Sequence, residues 1–529
     1  MLPTYRETST SNDRQGNSEP SNMAAPSRPA YGPWHWSVLF LFLAAFGYLY
    51  LFLADHLVSQ TNKDVLASDQ KHNMRLALQA RDDRAADIEA EGLSVGVQRW
   101  FPHRTDGVVN PLWPWVASWF APPGMIESNP DEVTDTDREF FRRGKWVNVA
   151  IVGAFLLVVG MTVGRTFTLA ATVNLVVLLG LGAFLPRAVF FQPEPLYYLF
   201  FFLSWVCCVA ILKQNSAWLY AALGLVAGLA YLAKTSIAPL LLVFLLVSTY
   251  RFLGALFPWM LGAGGRERGT GTVWSCQSHF IGLAFFAFAF ITTVGARLDY
   301  ANRTFGDPFH SYPSYWMWMD DFPTAFQWMV DHGDRQQLEA IPEDEKPSPR
   351  TYFATHTGVE AQERLYSGLR TVLTKFFDPP VRSKDGAVDG LRPWVTLLPL
   401  RGVYLGWLLV VLTTTAGLYT LHRRRSTFPS QRLQPGALPI ALFVVGAFVA
   451  YALAYAWYAP IGKGDRFLVS LYAPLVWSLI AGAESIIRRV RRRNEYLWIC
   501  KVYTLLHLAL TAALAWRVYE LVSLPLFAP

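Results

Sequence analysis

Cysteine and charge are both scarce in this chain. Four cysteines, Cys207, Cys208, Cys276 and Cys500, stand among 529 residues. Their spacing matches neither a metal site nor a disulfide framework. Charged residues make up 16% of the sequence, against 53% hydrophobic and 15% aromatic, a balance that excludes an ordinary soluble domain. There is no P-loop, no dinucleotide fingerprint and no convincing internal repeat. Residues 1–33 lack the compact basic start and small-residue cleavage site of a secretory signal; rich in Ser, Asn and Pro, they read as a disordered tail. The net charge of +7 falls largely in short segments between apolar runs, so membrane topology explains it better than nucleic acid does.

Long apolar runs dominate the rest. At roughly twenty apolar residues per crossing, 34–54 can span a bilayer as an uncleaved anchor. Further candidate spans are 146–164, 166–185, 195–212, 217–233, 235–257, 278–296, 396–421, 437–457, 466–486 and 497–523. The expected fold is therefore an all-α polytopic membrane protein of about eleven transmembrane helices. The 20 tryptophans suit aromatic belts at two interfaces. Basic residues mark alternate connections: Arg165, Lys213, Arg266 with Arg268, Arg423 to Arg425, and Arg488 to Arg493. The positive-inside rule then places the N-terminus in the cytoplasm. The long loops 55–145 and 297–395 fall outside. The chain divides into the tail 1–33, an N-terminal transmembrane core 34–296 containing the first loop, the second loop 297–395, and C-terminal helices 396–529. Its expected home is the bacterial inner membrane.

Polar chemistry gathers at the outer mouth of these spans. Asp69 heads one amphipathic run in the first loop and Asp106 precedes another, whose Trp113, Trp115 and Trp119 suit a bilayer surface. Asp55, Arg187, Glu194, Lys234, Arg297, Lys463, Asp465 and Arg466 join them on that side. Acids that accept a proton, beside cations that offset a phosphate, suggest a reaction on a lipid-linked phosphate. Each residue also has a structural reading. Asp69 can cap a helix, Asp106-Gly107 can make a turn, and Glu194 can simply be solvated. Lys234 can snorkel, and Arg466 can pair with Asp465. In the second loop, His310, Asp320, Asp321 and His332 carry no ligand spacing, and a divalent metal stays open. Asn302-Arg303-Thr304 is a glycosylation sequon.

Several short stretches fall in a recognisable order. They are Asp69-Gln70 with Asn73 and Leu76-Ala77; Asn110-Pro111-Leu112-Trp113; Gln192-Pro193-Glu194-Pro195-Leu196; Ala233-Lys234-Thr235; and Gly464-Asp465-Arg466-Phe467-Leu468 followed by Tyr472-Ala473-Pro474. In order and in side of the membrane they resemble the GT-C superfamily of multi-span glycosyltransferases, such as protein O-mannosyltransferases and lipid A aminoarabinose transferases. Gln70 and Asn73 depart from that pattern, standing where those enzymes carry an acid and a tyrosine. The base therefore stays open among Asp55, Asp69 and Asp106.

The resemblance implies a polyprenyl-phosphate-linked sugar as donor and a lipid, glycan or protein as acceptor, on the extracytoplasmic face. Asp69, Glu194 and Asp106 are the catalytic candidates; by charge and position Lys234 and Arg466 are the natural contacts for the phosphate, with Arg187 and Lys463 behind them. The acceptor hydroxyl loses its proton to a carboxylate as it attacks the anomeric carbon, inverting it in one displacement. A lipid-linked-saccharide flippase or other transporter, and an O-antigen ligase-like enzyme, are the alternatives.

Overall fold

A computed structural model describes residues 32–60, 65, 69–86, 92–125, 132–256, 276–377, 401–425, 437–462, 466–493 and 497–522. Every regular element among them is helical. Among the described residues ten helices are long and apolar enough to cross a membrane, and Ala217–Ala233 is a shorter apolar one. Together they make the chain a multi-pass, all-helical membrane protein.

In chain order, α1 (Pro33–Gln60) leads into the first loop, with α2 (Gln70–Ala85), α3 (Leu93–Gln98) and α4 (Leu112–Ser118). Then come α5 (Asp135–Gly164), α6 (Leu169–Leu179), a π-helical turn (Gly180–Phe184) and α7 (Leu185–Ala188). They are followed by α8 (Glu194–Lys213), α9 (Ala217–Ala233), a 3-10 turn (Thr235–Ile237), α10 (Ala238–Leu256) and α11 (Cys276–Phe305). The second loop holds α12 (Tyr312–Trp316), α13 (Phe322–Asp331), α14 (Arg335–Ala340), α15 (Pro349–Thr355) and α16 (Gly358–Phe377). The remaining helices are α17 (Arg401–Arg425), α18 (Ala437–Tyr458), α19 (Arg466–Arg493) and α20 (Leu497–Val522).

Several helices outrun their apolar runs, three of them instructively. α5 begins at Asp135, well before the apolar stretch at 146, because Thr134 and Asp137 form a reciprocal capping box (Asp137 N to Thr134 Oγ1 3.1 Å, Thr134 N to Asp137 Oδ2 2.9 Å). α11 runs nine residues beyond the expected end at 296, to Phe305, and carries polar Asp299 and Arg303 above the apolar zone. α19 likewise continues to Arg493. Helix length follows hydrogen bonding and capping, whereas span length follows only apolarity. In the stretch from α6 to α7, Pro186 has no N–H to give to Gly182, and the ladder slips into a π turn immediately before it.

Packing is typical of close-fitting membrane helices. Gly368 of α16 lies so close to α18 that an added Cβ would sit 1.9 Å from the Ala456 carbonyl oxygen. Farther along, Phe376 meets Phe448 at 6.1 Å, so α16 runs back beside α18 rather than staying in the loop layer. The second loop thus inserts its last described helix among the spans, which its amphipathic sequence did not announce. Both long loops emerge at one end of the bundle, the loop end, where α1 and α11 finish and α5 and α17 begin.

Candidate functional site

The loop end is assembled around Phe191, in the short bent link before α8. Its ring takes edge contacts from Trp113 (5.1 Å) and Phe140 (5.3 Å) and stacks on Phe141 (6.1 Å). Its backbone N–H donates to Gln70 Oε1 at 3.2 Å. Asn148 Nδ2 donates to the carbonyls of Phe190 (3.0 Å) and Gln192 (3.2 Å). A link with no helical partners for its backbone is thereby satisfied by side chains. In consequence the start of α2 is pinned to the residues that lead into Glu194. Lys71, next along α2, is bonded to the Glu132 carbonyl (3.0 Å) and pairs with Asp137 (3.2 Å).

Pro193 and Pro195 flank Glu194 at the first turn of α8, where a missing N–H costs nothing. Glu194 is 3% exposed, and its Oε1 lies 3.4 Å from Lys234 Nζ. Lys234 sits where α9 breaks: its backbone is extended (φ −162, ψ 128), and the 3-10 turn follows. Its side chain is 22% exposed, so the ammonium can reach solvent while remaining beside the buried acid. One turn into α8 lies buried Tyr197, and Tyr451 of α18 donates to the Ser236 carbonyl at 2.7 Å. Hydroxyl-bearing side chains therefore lie close to the ion pair.

Asp69 precedes α2 as its N-cap residue, but with near-helical backbone (φ −80, ψ 9) and no capping bond from its side chain. The capping reading of Asp69 thus fails here: its backbone carbonyl takes Asn73 Nδ2 (2.6 Å), and its side chain is exposed at the loop end. Asp55 is also exposed, on the last turns of α1. Asp106 does make the turn expected of it. Its Oδ1 accepts the N–H groups of Val108 (2.9 Å) and Val109 (2.7 Å), while Oδ2 meets His72 Nε2. Burial works to raise the pKa of Asp106, but the His72 contact and charge, with those two backbone donors, hold it below the usual carboxylate range.

Arg187 lies in α7 with its guanidinium 5.9 Å over the Phe190 ring, close to the same link. Arg466 opens α19 at the loop end; its side chain, together with Lys463 and Asp465, falls outside the described residues. The structure thus gathers Asp69, Glu194, Lys234, Arg187 and the first residue of α19 at one end of the bundle.

Arg297 has a different task from its neighbours. Buried to 1%, it donates to the carbonyls of Pro308 and His310 (both 2.6 Å), tying the second loop to α11. Arg364 does the same at α18, through the Trp457 and Met317 carbonyls (both 3.0 Å). The possible metal residues of the second loop go separate ways. His310 stacks on Phe305 (4.2 Å), and Asp320 faces His356 (3.3 Å) and Arg364 (3.4 Å). Asp321 caps α13 through the Thr324 N–H (2.8 Å), and His332 bonds the Trp328 carbonyl (2.8 Å). Among the described residues no three His, Cys, Asp or Glu side chains gather as a metal site. The sequon asparagine, Asn302, lies inside α11, with its carbonyl bonded to Gly306 N (3.0 Å).

Sequence reasoning passed over His72, although its place three residues after Asp69 put it on the same helix face. It also passed over the joint between the two loops, which no spacing could reveal. There, Tyr312 N donates to the Gly107 carbonyl (2.9 Å), and Gly107, at φ +84, faces the Tyr312 ring so closely that a Cβ would sit 2.6 Å away. Set against family profiles, curated proteins and solved structures, the chain matches none of them.

Proposed function

We propose that this protein is a membrane glycosyltransferase of the GT-C type, moving a sugar from a polyprenyl-phosphate carrier to a lipid, glycan or protein acceptor. The observation that carries the reading is the pinning of α2 to the Phe191 link, which brings the exposed Asp69 to the same end of the bundle as the buried Glu194–Lys234 pair. A proton acceptor and a cation beside the membrane surface are what the transfer needs. Asp69 takes the proton of the acceptor hydroxyl as that oxygen attacks the anomeric carbon. The bond from that carbon to the phosphate breaks, and its electron pair leaves with the phosphate. Lys234, with Arg466, Arg187 and Lys463 in support, offsets the departing charge. Glu194 holds the Lys234 ammonium in place until the phosphate competes for it.

Intramembrane polar groups favour the second reading, a transporter for lipid-linked saccharide. His507 and Asn174, fully buried, bond between α20 and α6 (2.9 Å). A transferase turns over in detergent, whereas a transporter needs two compartments. The test is release of polyprenyl phosphate by the purified protein in detergent, supplied with a panel of polyprenyl-phosphate sugars and acceptors and read by mass spectrometry. Turnover that falls about a hundred- to ten-thousand-fold in Asp69→Asn, with unchanged thermal stability, is the expected result. No release with any donor, alongside saccharide movement across sealed vesicles, sinks the reading.

A further inference from the structure

Two histidines of the first loop stand beside acids, and their surroundings differ. His103 is 9% exposed and lies 3.6 Å from Asp83, but Arg104 already grips that carboxylate with two bonds of 2.8 Å. Burial works to raise the Asp83 pKa, yet the bonds and charges of His103 and Arg104 bring it well below the carboxylate range. That group is spent on structure. His72 is 32% exposed, and the contact of its imidazole is with Asp106.

Asp106 is held unusually firmly for a loop acid. One oxygen takes the two N–H groups of Val108 and Val109. The turn around it is braced by Thr105 Oγ1, which donates to the Val109 carbonyl (2.7 Å) and accepts from Gly107 N (3.0 Å). Gly107 then seats the turn on Tyr312 of the second loop. With its carboxylate so fixed, Asp106 orients His72 through Nε2, which leaves Nδ1 as the ring position that receives a proton. A base steered by an immobilised acid is the arrangement that proton-transferring sites use.

We infer that His72, positioned by Asp106, is a proton-handling residue of the transfer reaction, acting one helical turn from Asp69. The inference rests on the transferase reading above. Asp69 and His72 are three residues apart at the start of α2 and share a face. As the acceptor O–H breaks and the new glycosidic bond forms, the proton passes to the Asp69 carboxylate and on to Nδ1 of His72. The pair from the broken carbon–oxygen bond departs on the lipid phosphate, so charge and atoms balance. Imidazole then releases the proton to solvent, and Asp69 is restored for the next cycle. The imidazole meets Asp106 from the turn, and Tyr312 lies within electrostatic reach of that carboxylate; along the chain Asp69 precedes His72 by three residues, as the N-cap residue of α2, and Arg75 follows it by three.

The experiment is the pH profile of kcat/KM, from pH 5 to 9, for the full-length protein in detergent with a polyprenyl-phosphate sugar donor. Wild type, His72→Gln and Asp106→Asn are compared, with thermal stability measured for each. The expected result is a wild-type profile whose acid limb depends on His72. That limb disappears in His72→Gln, together with at least a tenfold loss of rate. In Asp106→Asn the rate falls severalfold at unchanged thermal stability, because the imidazole loses the fixed carboxylate that orients it. A His72→Gln profile that keeps the wild-type limb and rate overturns the inference and leaves transferase function standing. So does a rate loss fully explained by unfolding. Absence of transfer in wild type at every pH removes the transferase reading itself, and His72 with it.

Discussion

Two buried glutamates, at opposite ends of the helix bundle, are handled in opposite ways. Glu484 of α19 is 1% exposed and closed in by neutral donors: Thr168 N at 2.8 Å, Thr168 Oγ1 at 2.7 Å and the Tyr503 hydroxyl at 2.9 Å. Short bonds from α6's cap and from α20 meet on one oxygen and lock three helices together. Glu194 is buried almost as fully, but its Oε1 has Lys234 at 3.4 Å, on a side chain that reaches solvent. A charged group ringed by short, fixed donors has been converted into structure. Glu194 instead faces a lysine ammonium at a longer distance, on a side chain that reaches solvent, and the proposed transfer would use that ammonium for the phosphate. Burial of a carboxylate alone therefore does not separate a site from a staple; the geometry of its partners does.

The sharpest way to break that contrast is to neutralise each acid. Glu194→Gln is expected to cut sugar transfer roughly a hundredfold while leaving thermal stability close to wild type. Equal stability loss at both positions would erase the distinction between them. Glu484→Ala should cost on the order of 3 kcal/mol, because it strands a backbone N–H and two hydroxyls in an apolar setting. It should shorten the half-life on heating without changing transfer per folded molecule, and loss of turnover in the folded fraction would place Glu484 in the chemistry.

A second contrast is one of pH. His310, which joins the second loop to the first, is lowered from 6.5 to about 4, chiefly by burial, with Asp307 opposing and Arg297 adding to the shift. Its pKa when docked lies below its undocked value, so the undocked loop binds the extra proton. Docking is then fully stable above about pH 6.5 and weakens progressively down to pH 4, by up to about 3 kcal/mol. Protection factors across 306–319, exchange rates divided out by their intrinsic pH dependence, should fall over that window, and the fall should vanish in His310→Gln. Protection that is constant from pH 7 to 4 in the wild type would count against His310 as the titrating group.

Orientation is the mildest test, since it moves no energy. In a cysteine-free background, Ala340→Cys should be labelled from outside in intact cells, and Gln214→Cys, at the other end, only after permeabilisation. Reversed labelling would put the candidate site in the cytoplasm and remove a lipid-linked donor displayed on the outer face.

Apolar run length is a local property, and from the sequence alone it determined the class of fold and nearly every span. Ala217–Ala233 and Leu497–Val522 lie within a residue of their expected limits. The prolines around Glu194 and the break at Lys234 were also legible, because helix starts and stops depend on a few neighbouring residues. What depended on contact between distant segments was not legible. Asp106 was visible as a turn residue, but its union with His72 required α2 and the turn to fold together. Arg297 looked like one more outer cation until Pro308 and His310 presented their carbonyls to it. Gln70 turned out to accept a bond from the Phe191 backbone. Local propensity places a residue on a helix and at one end of a bundle; only tertiary packing decides which atoms desolvate together, and so which charges are spent on structure and which remain for chemistry.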